Sequence, residues 1–169
     1  MLSSSVNRAS QKKFLVDVML QKLGRWLRIL GVPAEMPESE DDNDILEQAR
    51  EHDLILITRD AQLAERAEKR NIKVFAMPKR ETEVENQLKL VVDEFGIKLE
   101  GFKDRTLCTK CGAELELVGK DRVEGKIPDK VLERLDDFLV CKSCGQVYWE
   151  GRQWKKINER ISKISKEKK

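Results

Sequence analysis

The chain has a single histidine, His52, and no run of apolar residues approaching the roughly 20 that span a bilayer. The first shortage leaves no plausible Ser-His pair for nucleophilic catalysis, and His52 itself reads as a surface residue near a helix end. The second leads us to expect a soluble protein with no membrane partner. Residues 1–13 are polar and Ser-rich and lack the apolar core of a signal peptide, so we expect a disordered leader and a cytoplasmic location. Cysteine is also scarce. Its four copies fall in two close pairs, which in a chain without an export signal suit metal binding better than a disulfide framework.

At 169 residues there is room for one ordinary α/β domain and a small second module, but not for two full cores. Charge is unevenly spread. Residues 152–169 carry eight Lys or Arg against Glu159 and Glu167, a formal +6 in a chain whose net charge is +2, so the rest is acidic. An acidic body with a basic end fits a metal-dependent enzyme that recruits a polyanion; a solvated terminus explains the charge equally well.

Apolar patterning alternates strand with helix. Phe14, Leu15 and Val16 read as a short buried strand ending at Asp17, and Leu20, Leu23, Leu27 and Leu30 as one face of a helix stopped by Gly31. After a turn-rich stretch over 33–40, Asp41 and Asp42 stand where a helix cap belongs, before Ile45, Leu46 and Ala49. Residues 54–57 are uniformly apolar, as in a central parallel strand, and end in Thr58, Arg59 and Asp60. A helix marked by Leu63, Ala64 and Ala67, a strand over 72–77 and a helix closed by Gly96 follow. This order predicts an open parallel sheet flanked by helices over 14–100. A boundary is expected near Gly101, then a cysteine module over 101–151. Over 152–169, Trp154, Ile157, Ile161 and Ile164 recur at helical spacing, which predicts a basic amphipathic tail.

Cys108 and Cys111, and Cys141 and Cys144, form two knuckles, each with a Gly after its second Cys that permits a tight turn. Two matched knuckles predict a zinc ribbon holding one structural Zn²⁺, because four thiolates leave no open position for water. A redox pair is the alternative. The knuckles are unusually far apart, so 119–135 should form an insertion, with a short helix after Pro128.

Asp17 and Asp60 both follow predicted parallel strands and Asp42 opens a helix, at the sheet edge where ligands bind in open α/β folds. Hard oxygen ligands converging there suit Mg²⁺ or Mn²⁺ and phosphodiester hydrolysis. Each acid also has a plainer role as a helix cap, and Asp41 and Asp44 compete with Asp42. Arg25 and Arg28, three apart on the polar side of their helix, can hold a phosphate or simply be solvated.

Taken in order, Phe14, Leu15, Val16 and Asp17; Met19 and Leu20; the segment 23–31; Asp41 and Asp42 before Ile45 and Leu46; Ile57, Thr58, Arg59 and Asp60; and both knuckles with Val147, Tyr148 and Trp149 resemble the PIN-like ribonuclease family named after the C-terminal domain of the Mut-seven exonucleases. The resemblance implies a PIN-like three-layer α/β/α fold with a mostly parallel sheet, an appended zinc ribbon and metal-dependent RNA hydrolysis. By motif it implies Asp17, Asp42 and Asp60 as metal-binding acids, with Thr58 and Arg59 shaping their surroundings. Gln21 stands where the family often has a small residue, and the segment 151–154 lacks a histidine the family often carries there.

The resulting expectation is an endoribonuclease with a catalytic Mg²⁺ or Mn²⁺ site on Asp17, Asp42 and Asp60. Arg25, Arg28, Arg59 and Thr58 would contact the substrate RNA, and the ribbon and basic tail would add affinity. Trp149, Trp154 and Tyr148 either stack on bases or pack the ribbon onto the first domain. The rival reading is a non-catalytic RNA- or ribosome-binding adaptor. An aspartyl phosphatase ranks third, because Met19 stands where that chemistry wants a second Asp.

Overall fold

The structure, a computed structural model, describes residues 11–167. Four parallel strands, β1 (Phe14–Val16), β2 (Ala34–Glu35), β3 (Ile55–Thr58) and β4 (Val74–Ala76), form a sheet in the order β2-β1-β3-β4. Alternation along the strands sorts their apolar side chains into two cores, with Phe14, Val16, Ile55 and Ile57 in one and Leu15, Leu54 and Leu56 in the other. Helices α1 (Gln21–Ile29) and α4 (Val84–Phe95) cover the first core, and α2 (Asp42–Glu51) and α3 (Ala61–Lys69) the second. This is the expected three-layer α/β/α arrangement.

The strand order places a topological switch point between β1 and β3, because the chain leaves β1 toward β2 on one side and returns to β3 on the other. Strand β2 corrects the reading of 33–40 as turn alone: Phe14 and Leu15 of β1 pair with Ala34 and Glu35. Residues 1–10 of the expected leader lie outside the described residues. Its last three residues are in place, with Gln11 donating to the Gly31 carbonyl at 2.9 Å and the Lys13 carbonyl accepting from the Ile55 N–H at 2.9 Å. They extend the β1 side of the β1–β3 pairing.

The cysteine segment contains an antiparallel sheet of β5 (Leu115–Val118), β6 (Phe138–Cys141) and β7 (Val147–Tyr148). The expected insertion between the knuckles folds as its own small core, in which Val118, Val123, Ile127 and Phe138 are buried, with α5 (Asp129–Leu132) directly after Pro128. This module is stitched to the first. Phe102 is buried in the larger core, Thr106 Oγ1 donates to the Ile29 carbonyl at 2.7 Å, and the Leu107 N–H donates to the Arg28 carbonyl at 2.8 Å. Arg105 donates through Nε to the Leu30 carbonyl at 2.9 Å and also reaches the Lys98 and Glu100 carbonyls.

Residues 152–166 of the expected basic amphipathic tail are helical and packed against the first domain. They make α6 (Arg152–Lys166), whose Ile161 and Ile164 are buried in the larger core; Lys168 and Lys169 lie outside the described residues. Burying a residue of this size stabilises by about 1.5–3 kcal/mol, so removing α6 would unroof the first domain. Trp154 stacks on Phe102 with ring centroids 6.3 Å apart, and Arg160 pairs with Glu85 at 3.3 Å while lying 5.8 Å from the centre of the Trp26 ring. Among the described residues, no helix is long and apolar enough to cross a membrane.

Gly31, which ends the first helical segment, has φ +80°, and a Cβ there would sit 2.6 Å from the Arg105 carbonyl oxygen, whereas Gly96 at φ +63° has open space around it. Gly31→Ala should therefore destabilise by about 3 kcal/mol, combining left-handed strain with a steric clash, and Gly96→Ala by about 1 kcal/mol from strain alone. Urea titrations of the two variants measure the difference; equal midpoints would show that Arg105 yields freely.

Candidate active site and metal centre

Asp17 follows β1 directly, and its N–H donates to the Ile57 carbonyl of β3 at 3.0 Å. The fully buried Thr58 hydroxyl donates to Asp17 Oδ2 at 2.8 Å and accepts from the Asp60 N–H at 3.0 Å. One hydroxyl thus joins Asp17 and Asp60 across the switch-point crevice. Asp60 also caps α3, its Oδ1 accepting from the Gln62 and Leu63 N–H groups at 2.9 and 3.2 Å. Each acid has a second oxygen, Asp17 Oδ1 and Asp60 Oδ2, for which the described residues supply no hydrogen bond.

The third acid is placed differently. The cap of α2 is Asp41, accepting from the Asn43 and Asp44 N–H groups at 2.8 and 3.3 Å, and Asp44 accepts from the Ser39 hydroxyl at 2.7 Å. Asp42, one residue into the helix, is free of capping but takes Arg66 Nη1 of α3 on its Oδ2 at 2.9 Å. The three aspartates therefore do not form a ready cluster: among the described residues, the one group of three or more His, Cys, Asp or Glu ligand atoms within 4.8 Å of one another is the four cysteines. Arg66 left no trace in the sequence as a partner of Asp42, since the pairing spans two helices joined only by tertiary packing.

Of the arginines, Arg25 is exposed on α1 and Arg59 donates to the Lys79 carbonyl at 2.5 Å. Arg28 departs from the reading that put it beside Arg25 on the polar side of the helix, open to phosphate or solvent. It is only 8% exposed, and its Nε donates to the Ala34 carbonyl at 2.8 Å and its Nη1 to the Thr109 carbonyl at 3.0 Å. Burial lowers its pKa, and the Cys111 and Cys108 thiols nearby oppose that shift. It spans β2, α1 and the first cysteine knuckle.

The knuckles are built alike. Gly112 N–H donates to the Cys108 carbonyl at 2.8 Å and Gly145 N–H to the Cys141 carbonyl at 3.1 Å, and both glycines have positive φ. Cys108 Sγ lies 3.7 Å from Cys144 Sγ, and Cys111 Sγ lies 3.4 Å from Cys141 Sγ. Tetrahedral thiolate ligands at about 2.3 Å from a zinc ion would be about 3.8 Å apart, so the four sulfurs fit one Zn²⁺ with small adjustment. Electrostatics agree. Burial raises the Cys108 thiol, but hydrogen bonds from Tyr148 and from backbone N–H groups outweigh it and bring the pKa down to about 6. For Cys144, the Gln146 backbone favours the thiolate, yet burial and its cysteine neighbours push the thiol up to about 11. The cage thus favours the thiolate at Cys108 and disfavours it at Cys144. Tyr148 OH, 3.2 Å from Cys108 Sγ and 3.1 Å from Thr109 Oγ1, braces the knuckle, a role its sequence context did not suggest.

Trp149 packs against the insertion core, and Trp154 against the larger one. Along the outer face of α6 runs an open groove of about 740 Å³, lined by Trp154, Lys155, Lys163 and Lys166 together with Lys103, and by Glu150 and Glu159. His52 is exposed and its Nδ1 lies 3.1 Å from Glu35 Oε2, whose hydrogen bond raises the imidazole pKa.

Metal analysis of the purified protein should find one zinc per chain, and Cys108→Ser or Cys141→Ser, each removing a buried ligand, should lose it together with most of the ribbon's stability. Wild-type protein with no bound zinc, in buffer free of chelators, would refute the cage.

No curated protein and no solved structure matches the chain. A family model described as the Mut7-C RNAse domain matches residues 12–161, taking in the α/β domain, the cysteine module and most of α6. On that match, over most of its length, the chain belongs to the Mut7-C RNAse domain family.

Proposed function

We propose that the protein is a cytoplasmic, metal-dependent endoribonuclease whose active site is the crevice between β1 and β3. The observation that carries this reading is the Thr58 hydroxyl joining Asp17 to Asp60 at the carboxyl ends of adjacent parallel strands, each acid keeping one oxygen without a hydrogen bond from the described residues. Two carboxylates on such an edge are a hard-oxygen donor set, suited to Mg²⁺ or Mn²⁺ rather than to zinc. Asp17 and Asp60 would hold the ion, and Asp42 would join them by exchanging its Arg66 partner. When bound, the ion supplies electrophilic stabilisation of phosphoryl charge and an activated water.

The protein's own groups do the rest. Thr58, buried beneath the crevice, would fix the Asp17 carboxylate against the Asp60 backbone and so act on the substrate through the acids. Arg25, Arg28 and Arg59 would contact the phosphates of the RNA backbone. The lysines of α6 add affinity for the RNA backbone. The adaptor reading has one specific support, the Arg66–Asp42 ion pair, which leaves the acids short of a third ligand in this conformation. An adaptor would bind RNA or the ribosome without cutting.

Incubation of the protein with single-stranded and structured RNA in Mn²⁺ separates the two. Asp17→Asn and Asp60→Asn should each lower the cleavage rate at least ~100-fold, the scale expected when a group essential to metal-assisted chemistry is lost. Thr58→Val should reduce the rate less. Wild type that cuts no faster than Asp17→Asn would leave the adaptor.

Charge reversal is the suitable probe of α6, because truncation would unroof the core. Lys155→Glu with Lys163→Glu should weaken RNA binding about tenfold at moderate salt and flatten its salt dependence, with the unfolding midpoint unchanged. Binding equal to wild type would remove α6 from the interface.

A further inference from the structure

The crevice and the zinc module meet at a second cavity. A cleft of about 190 Å³ is lined by Gln21, Arg25, Arg28 and Met36 from the α/β domain and by Thr109 and Lys110 from the first cysteine knuckle. Its lining holds three cations and no carboxylate, in a chain with nearly as many acids as bases. Gln21 opens α1, one short 3₁₀ turn after Asp17, so the cleft borders the proposed active site along the chain. The exposed Val18 and Met19 lie in between, an apolar shelf beside the acids.

Arg28 gives the cleft a built floor. Its Nε and Nη1 are fixed by the Ala34 and Thr109 carbonyls. Its Nη2 has no protein acceptor among the described residues, and no buried side-chain nitrogen or oxygen among them lacks a partner, so Nη2 reaches the accessible surface. An arginine that is 8% exposed as a residue, its guanidinium held by two carbonyls and open at one nitrogen, is preorganised for an oxyanion. Arg25 and Lys110, both exposed, stand on opposite modules around it, and Met36 supplies a soft apolar wall for a ribose or base edge.

We propose that this cleft is a phosphate subsite for single-stranded RNA, taking a nucleotide next to the one cleaved, and that the zinc knuckle forms half of it. The inference rests on the reading of the crevice as a ribonuclease site and extends it. The cleft is sized for one phosphate and its sugar, too small for a duplex, and its charge suits a backbone rather than a particular base. Zinc then has a part in substrate binding as well as in folding, because it fixes Thr109 and Lys110 against Arg28.

The test is binding of a fluorescein-labelled oligouridylate to the full-length chain in the Asp17→Asn background, measured by anisotropy across a salt series. Lys110→Glu and Arg25→Glu alter exposed side chains, and zinc content and circular dichroism verify that each variant is folded. Each should weaken binding at least about fivefold and lower the slope of log affinity against log salt by about 0.7 for every phosphate charge that is no longer neutralised. Lys73→Glu, at the opposite edge of the sheet just before β4, should stay within about twofold of the parent. Equal losses in all three variants, or no loss in the cleft pair, would overturn the subsite. A protein that never cuts RNA yet loses binding in the cleft variants would keep the subsite and remove the nuclease reading. A protein that cuts while those variants bind normally would do the reverse.

Discussion

Parallel pairing of β1 with β3 sets Phe14 beside Ile55 and Val16 beside Ile57, and this register decides which chain ends meet. A slip of one residue would turn every side chain of β1 to the opposite face, exchanging Leu15 with Phe14 and Val16 between cores that are both fully packed. The same pairing brings the Asp17 N–H to the Ile57 carbonyl and so fixes where Asp17 stands relative to Thr58 and Asp60. The crevice is thus a by-product of core packing, edged by polar residues at the strand ends, Asp17 after β1 and Thr58 and Asp60 at the end of β3.

The seam between the two modules depends on a different balance. Arg28 is a buried cation whose desolvation is offset by two carbonyl acceptors and by the thiols of the first knuckle. Gly112 makes room for it: a Cβ there would come within 3.2 Å of Nε. Arg105 and Thr106 add further donors to the carbonyls that end α1. Helix ends leave such carbonyls unpaired. The linker satisfies them with side chains, so the ribbon is attached through polar groups that either module would otherwise leave open to solvent.

Much of this could be read in the chain. Periodicity located β1, α1, β3, α3 and α4, and knuckle spacing located the cage, because each is a local pattern. Strand β2 escaped since two residues, Ala34 and Glu35, carry no apolar run; only the pairing partner makes them a strand. The burial of Arg28 escaped for the converse reason. Helical spacing put it beside Arg25, but the helix packs its Arg28 side against a module some eighty residues further along the chain. Residues 152–166 showed their helical period and their charge, but not that Ile161 and Ile164 complete the first core. Of the acids, the sequence marked Asp17 and Asp60 by position, while the choice between Asp41 and Asp42 needed the cap geometry, which assigns capping to Asp41.

That assignment bears on how the third acid can act. Asp42 and Arg66 are each more than a third exposed, 42% and 37%, and an ion pair in that setting contributes at most about 1 kcal/mol. Arg66 also holds Asn43 Oδ1 through Nη2 at 2.6 Å, and Arg70 reaches the same oxygen at 3.0 Å, so the guanidinium would keep an anchor if Asp42 turned away. A divalent cation in the crevice attracts a carboxylate with twice the charge of a guanidinium. On the proposed reading, exchanging Arg66 for a metal ion would therefore cost little, whereas the same exchange at Arg28 would strip a buried cation of its acceptors. The protein keeps a rigid arginine at the seam and a loosely held one at Asp42, the distribution that the proposed assembly of the site on ion binding would require.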